Sequence, residues 1–492
     1  MSLRAINLKE PASAYTPTVP GERLLDFLRE LSGYVILRND DVVGHLAKGG
    51  DLDLLVEQPA AVERSLVATF GSPVIITKRS TVWGYSYPWG HIDLFWSVQW
   101  RGAIYLGRSA IFSRARTSPL GFPKASLAHE ALICWFNSLL YRGLFKEAYK
   151  ELILRAARED PSAFQKALDS AVGRFWGRRL FQAARDGCPE TFVRWFQPLR
   201  AAVWTLSLAG DPLGTLGRFG KFLVVALSML LAPPIPWMAI LGPDGSGKST
   251  VLAELGQRLS GALHLKGVRI FHWRPGVIRG VNVTQDIGGP PYTRLPRGAI
   301  GSVAKLAFLL ADWLIGYWRH VALLRARGWL VLFDRHYLDL IADPRRYRYG
   351  GPISLARWVG RLVPWPDLIV LLDAPSSLLQ IRKQEVTLEE SAHQRQAYRS
   401  LAQGIPGCQV VDASRPTQQV ADDIERILVA FMRNQTILRN QTIHSGNPRP
   451  RPKAHRCPVG QGMESGGLPA VRRDGGGQVQ DSERVQGAGR DP

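Results

Sequence analysis

The stretch WMAILGPDGSGKSTVLAEL, Trp237–Leu255, constrains this chain more than any other. An apolar run, Trp237–Leu241, reads as a buried strand; a glycine loop, Gly242–Gly247, follows, and a helix begins near Lys248. The spacing Gly242-x-x-x-x-Gly247-Lys248-Ser249 is that of a phosphate-binding P-loop. Gly242, Gly245 and Gly247 allow successive backbone N–H groups to curl around an anion, with Asp244 and Ser246 inside the same loop. The helix N-terminus adds its partial positive charge. Lys248 would reach the β- and γ-phosphates, and Ser249, followed by Thr250, would offer a hydroxyl to Mg²⁺. The strand before the loop and the helix after it turn the pattern into an expectation of a nucleoside-triphosphate site.

With 492 residues the chain should hold about three domains. A formal charge of +21 points to anionic partners such as nucleotides, nucleic acid or an acidic membrane surface. Much of the excess is scattered arginine, and no zinc-finger or RNA-recognition pattern appears, so no specific nucleic acid is expected. Cys134, Cys188, Cys408 and Cys457 lie far apart without metal spacing and read as reduced thiols in a cytoplasmic protein. The first residues carry no continuous apolar run of the signal-peptide kind. Phe222–Pro243 lacks charge, but Pro233, Pro234 and Pro236 interrupt it and its second half is the P-loop strand. The remaining run, FLVVALSMLLA, is too short to cross a bilayer and is expected as a buried or interfacial helix.

The chain divides into a flexible N-terminus (1–20), a small α+β domain (21–122), a helical connector (123–232), a parallel-sheet α/β domain (233–433) and a disordered tail (434–492). In the first domain Asp51 and Asp53 alternate with apolar residues on one strand, so both carboxylates face the same way. Asp93 lies on a second strand, HIDLF. Three such carboxylates could hold two Mg²⁺ ions for in-line phosphoryl transfer. The module resembles the nucleotidyltransferase domains of the DNA polymerase β type, which carry their metals on an Asp-x-Asp and a later Asp. It departs from them where they have Gly-Gly or Gly-Ser before the carboxylates: here that stretch is YVILRNDD, and Gly49-Gly50 abuts Asp51 instead. The alternative is a degenerate domain whose carboxylates pair with arginines such as Arg38.

In the second half, strands alternate with helices, which implies a parallel sheet covered on both faces with ligands at the strand C-terminal ends. Gly242-Pro-Asp-Gly-Ser-Gly-Lys-Ser, Trp273-Arg274-Pro275-Gly276, Asp334-Arg335-His336 and the charged stretch Arg382–Arg399 follow one another in the order of thymidylate kinases, which this region resembles. The resemblance implies that Asp244 binds the acceptor sugar hydroxyl, that Asp334 lies near Mg²⁺, and that Arg335 binds phosphate. It also places Arg274 and His336 beside the acceptor and makes Arg382–Arg399 a lid. With Gly245 and Ser246 where some kinases of this group carry an arginine, the lid must supply the cation from Arg382, Lys383, Arg395 or Arg399. Arg382 and Arg395 are the catalytic candidates.

The thymine-reading residues are missing: Asp339 stands at the family's serine, Ala342-Asp343-Pro344 replaces Ala-Tyr-Gln, and Arg274 replaces Glu. The expected function is thus an ATP- and Mg²⁺-dependent kinase acting on a nucleotide or small phosphorylated acceptor. Two alternatives stand beside it: a P-loop regulatory protein, or an accessory kinase or nucleotidyltransferase acting on a sugar or lipid-linked acceptor in cell-surface polysaccharide assembly. Peripheral membrane association and a homodimer stay open.

Overall fold

The computed structural model describes residues 18–278, 295–383 and 387–445. The expectations for residues 1–17 and for the tail beyond 445 lie outside them. The N-terminal strands are β1 (Tyr34–Ile36), β2 (Asp51–Val56), β3 (Ile75–Lys78), β4 (Val82–Tyr87), β5 (Gly90–Phe95), β6 (Val98–Trp100), β7 (Ala103–Leu106), β8 (Arg116–Thr117) and β9 (Pro123–Lys124). Seven of them form one sheet in the order β3-β4-β5-β2-β1-β9-β8, while β6 and β7 make a separate hairpin. β2 and β5 run parallel with Asp53 opposite Asp93, so the pleat brings both carboxylates to one face.

The boundary at 122 needs correcting. β9 belongs to the N-terminal sheet, with Lys124 opposite Ile36, and the Lys124 ammonium is buried between Asp40 and Glu130 at 2.9 Å from each. The helices expected as a connector share a core with that sheet. Leu132, Phe136 and Leu139 of Leu127–Arg142, with Phe164, Leu168 and Leu199 of later helices, pack on Val35, Leu37 and Leu55.

The second sheet is β10 (Trp237–Leu241), β11 (Gly267–His272), β12 (Trp329–Asp334), β13 (Leu368–Asp373) and β14 (Gln409–Asp412). All neighbours are parallel, in the order β11-β12-β10-β13-β14. WMAIL, LVLF and LIVLL are continuous apolar runs because both faces are covered. One face packs Val251, Leu252 and Leu255 of Lys248–Leu259 and Ile424 and Leu428 of Thr417–Ser445. The other packs Leu306, Leu309 and Trp313 of Ala299–Gly316 on Trp237 and Phe333. Strand order reverses at β10, so β10 leaves a crevice at its C-terminal end.

Two further expectations change. The C-terminal helix does not stop at Arg433 but runs to Ser445. The Thr436 hydroxyl donates to the Val74 carbonyl at 3.0 Å, and Val74 and Ile75 sit in the core beneath the second sheet. A polar sequence thus gains from tertiary contact the order its composition does not suggest. The apolar helix before β10 also begins earlier, at Pro212, capped by the Asp211 carboxylate accepting from the Gly214 N–H at 2.9 Å. At Pro212–Leu231 it is long and apolar enough to cross a membrane, as is Ala299–Ala326.

Candidate active site

Register places the candidate groups. Asp334, at the end of β12, lies opposite Ile240 of β10 and His272 of β11. The P-loop leaves β10 immediately afterwards and can approach the neighbouring backbone only with glycine. A Cβ on Gly242 (φ 147°) would lie 2.7 Å from the Leu372 carbonyl oxygen, and one on Gly245 (φ 79°) 2.7 Å from that of Leu379. The Lys248 ammonium is buried and donates to the loop's own carbonyls, Gly242 at 2.9 Å and Pro243 at 2.7 Å, and to the Ser246 hydroxyl at 3.3 Å. Burial, reinforced by the Arg335 guanidinium, pushes it down to about 7.

The Ser249 hydroxyl donates to Asp334 Oδ2 at 2.7 Å. Burial works against the Asp334 carboxylate, but hydrogen bonds from His272 and Ser249 hold it at about 2, so it is ionised at neutral pH. Its other oxygen, Oδ1, is buried with no partner among the described residues. A hydroxyl and an ionised carboxylate with one open oxygen are hard donors that fit Mg²⁺. Thr250, next on the helix, is exposed.

Arg335, at φ 77°, is turned back under the P-loop. It bonds Asp244 and, at 2.8 Å, Asp339 Oδ2. Asp244 also bonds Arg346, and the two guanidiniums, outweighing burial, hold its carboxyl well below the usual range. Asp339 is fully buried, and burial raises it despite Arg335. Its Oδ1 has no partner among the described residues. Arg346 was missed in the sequence. Its signal was the run Arg345-Arg346-Tyr347-Arg348, which carries no spacing that singles one out.

The remaining candidates scatter. His336 does not face an acceptor: it is buried against Trp313 and Trp237, donates from Nε2 to the Pro364 carbonyl at 3.1 Å, and is held at about 3 by burial. Its imidazole is therefore a neutral part of the aromatic core. Arg274 pairs with buried Asp312 at 2.9 Å while Trp273 stacks on Tyr347 at 4.5 Å. Arg395 forks onto Asp373, at the end of β13, at 2.7 and 2.9 Å. Arg382 bonds the carbonyls of Ala413 at 2.8 Å and Ser414 at 3.4 Å, beyond β14. Lys383 comes nearer the loop: its Cβ would lie 3.4 Å from a Cβ on Gly245.

In the N-terminal domain, ligand atoms of Asp51, Asp53 and Asp93 lie within 4.8 Å of one another. Arg38 reaches both Asp51 (2.6 Å) and Asp53, and the alternative reading's pairing is therefore present together with the cluster. Burial, helped by the neighbouring Asp51 and Asp93 carboxylates, pushes Asp53 up to about 7 against the opposing Arg38 guanidinium, and its Oδ1 is buried without a partner among the described residues. His91 bridges Ser86 (2.9 Å) and Asp93 (3.1 Å) and stacks on His264 of the P-loop domain at 3.8 Å. The carboxylate set and the orphaned oxygen fit a divalent cation. A carboxyl raised to about 7 keeps its proton in the fold below that pH, so bound metal must displace it. Mn²⁺ should raise the melting temperature of the full chain at pH 8 and progressively less below pH 7, with affinity falling by about tenfold per unit. Asp51→Asn with Asp53→Asn should remove the part of the increment that fades below pH 7; an increment of the same size and pH dependence in that variant rules the cluster out as the metal site.

No family model matches the chain. A probable thymidylate kinase of Pyrobaculum calidifontis is 28 % identical over 211 residues, covering 40 % of this chain and 97 % of that protein. One from Pyrobaculum aerophilum is 26 % identical over 216 residues, covering 40 % and 98 %. Among solved structures, thymidylate kinases from Ehrlichia chaffeensis and Candida albicans align at 19 % and 17 % identity, covering 39 % and 41 % of this chain and 98 % and 93 % of theirs. Their TM-scores, 0.29 and 0.31, add nothing to what the strand order already shows. The sequence similarity supports a thymidylate kinase-like region of phosphotransferase type over about 40 % of the chain.

Proposed function

We propose that the P-loop domain transfers the γ-phosphate of Mg·ATP to a nucleotide or related phosphorylated acceptor. The observation that carries this reading is the convergence of Lys248, Ser249–Asp334 and Arg335–Asp244 at the C-terminal ends of β10 and β12. Phosphoryl transfer spreads negative charge over the moving group, and fixed cations at that place stabilise it. Lys248, with the loop N–H groups, would hold the β- and γ-phosphates, gaining full charge as the anion arrives. Ser249 and Asp334 would hold Mg²⁺, whose chemistry is to neutralise the phosphate oxygens. Asp244, fixed by Arg335 and Arg346, would orient the acceptor. Arg395 and Arg399, both paired with Asp373 at the end of β13, and Lys383, beside the loop, are the lid cations available to turn inward when nucleotide binds.

The residues at the thymine-reading positions are committed elsewhere. Asp339 bonds Arg335, and Asp343 accepts from the Arg346 N–H at 3.1 Å and from Gln394 at 3.3 Å. A pocket without base-specific hydrogen bonds discriminates weakly, so dTMP should exceed dUMP and dCMP by less than about tenfold as acceptor. The test is mass spectrometry of products from purified protein, Mg·ATP and a panel of nucleoside monophosphates, sugar phosphates and lipid-linked phosphates. Stoichiometric phosphate on an acceptor supports the kinase. ATP bound without transfer to any of them favours a regulatory P-loop protein, and strong dTMP selectivity overturns the reading of the acceptor pocket.

A further inference from the structure

The helix Pro212–Leu231 has two unlike faces. On one, Thr215 is fully buried, Arg218 donates to the Gly102 carbonyl at 2.8 Å, and the Phe219 backbone lies 2.7 Å from where a Gly102 Cβ would be. Phe222 stacks on Phe219 at 6.2 Å along the same side. This face fixes the helix on the β6–β7 turn. On the other face, Leu213, Leu216, Leu223, Val224, Leu227 and Leu231 recur at three- and four-residue spacing and are between 50 % and 84 % exposed. A monomeric soluble protein rarely leaves so long an apolar stripe uncovered.

Because the helix is held along its side by the β6–β7 turn and leads into β10 of the same compact body, it lies along the surface and does not cross a bilayer. Its charges select among coverings. No acidic residue occurs between Asp211 and Asp244, and Arg218 neutralises Asp211 at 2.9 Å. Lys221 on the helix and Arg101 on the supporting turn are exposed beside the stripe, Arg101 lying over the Phe222 ring at 5.8 Å. An isologous pairing with a second copy would set basic residues against a face with basic residues only. An anionic headgroup layer would neutralise them while the acyl boundary took up the leucines.

We propose that the Pro212–Leu231 helix is a membrane-surface anchor, lying in the headgroup layer of an anionic bilayer and holding the kinase site against it. The full-length protein, with Leu223→Gln/Leu227→Gln and Lys221→Glu variants, should be floated with vesicles of phosphatidylcholine alone and of phosphatidylcholine mixed equally with phosphatidylserine. ATP turnover and melting temperature report folding, since these exposed positions lie outside the site. Wild type should float with the anionic vesicles and poorly with the neutral ones. The double variant should partition at least about 30-fold more weakly, and Lys221→Glu about tenfold more weakly on anionic vesicles alone. Absence of flotation by folded wild type, or equal flotation of the double variant, overturns the proposal. So does a wild-type dimer by light scattering that the double variant dissociates, which assigns the stripe to a second copy.

Discussion

Lys248→Met should lower ATP turnover by at least about 10²–10³-fold and, in the same protein, raise the melting temperature near pH 6. The loss of rate follows from removing a preorganised charge from the place where phosphate charge develops. The gain in stability follows from the environment of Lys248 without nucleotide. Its ammonium is buried, bonded mainly to two carbonyls of its own loop, and pushed down to about 7. A lysine depressed in the fold binds its proton less tightly than in the unfolded chain, so its cost to stability is full below about 7 and fades as pH rises toward its ordinary value. The stability advantage of the methionine variant should therefore be largest in mild acid and should vanish toward pH 10. Calorimetry across pH, beside a turnover assay, reads both effects. Undiminished turnover would remove Lys248 from the phosphate site. A variant that loses both activity and stability would mean that the loop needs the ammonium to hold its shape.

Arg335→Met carries the largest expected cost in stability, about 3–5 kcal/mol, because it strands carboxylates in a buried setting. Arg335 joins Asp244 to Asp339, and Asp339 is fully buried with one oxygen already unpartnered among the described residues. Adding Asp339→Asn should recover part of the loss, since the amide takes the place of the most deeply buried uncompensated charge. The pH dependence separates the two acids. Asp244, held below its ordinary range by Arg335 and Arg346, stabilises the fold above that range, and the contribution is lost only in acid as pH falls through the depressed value. With Arg335 gone, that acid loss should begin at higher pH. Urea denaturation of the single and double variants measures the coupling; a single variant within 1 kcal/mol of wild type would show that the pair is screened by solvent.

Much of the second domain was legible in residue order. Three apolar runs long enough for a strand but too short for a helix, WMAIL, LVLF and LIVLL, are followed by Gly242, Asp334 and Asp373, and dictate parallel strands that deliver a glycine loop and two carboxylates at their ends. Covalent sequence fixes those neighbours, since a group that directly follows a strand must lie at its C-terminal end. The Asp51/Asp53 pair was legible for the same reason: a two-residue period puts both on one face.

Partnership was not legible, because it depends on which loops fold back across the sheet. Arg346 reaches Asp244 from more than a hundred residues away in the chain, and no local spacing announces it. His336 looked like a site residue from its place in a motif, yet the backbone turn at Arg335 sends the imidazole into the aromatic core and the guanidinium under the P-loop. The tail past Arg433 looked too polar to order, but Val74 offered Thr436 a carbonyl and the helix continued. For Pro212–Leu231, sequence showed the apolar residues; only tertiary structure decided which of them stay uncovered, since that depends on where the β6–β7 turn lands. Local pattern settles which face of an element is apolar, and long-range docking settles what, if anything, that face meets.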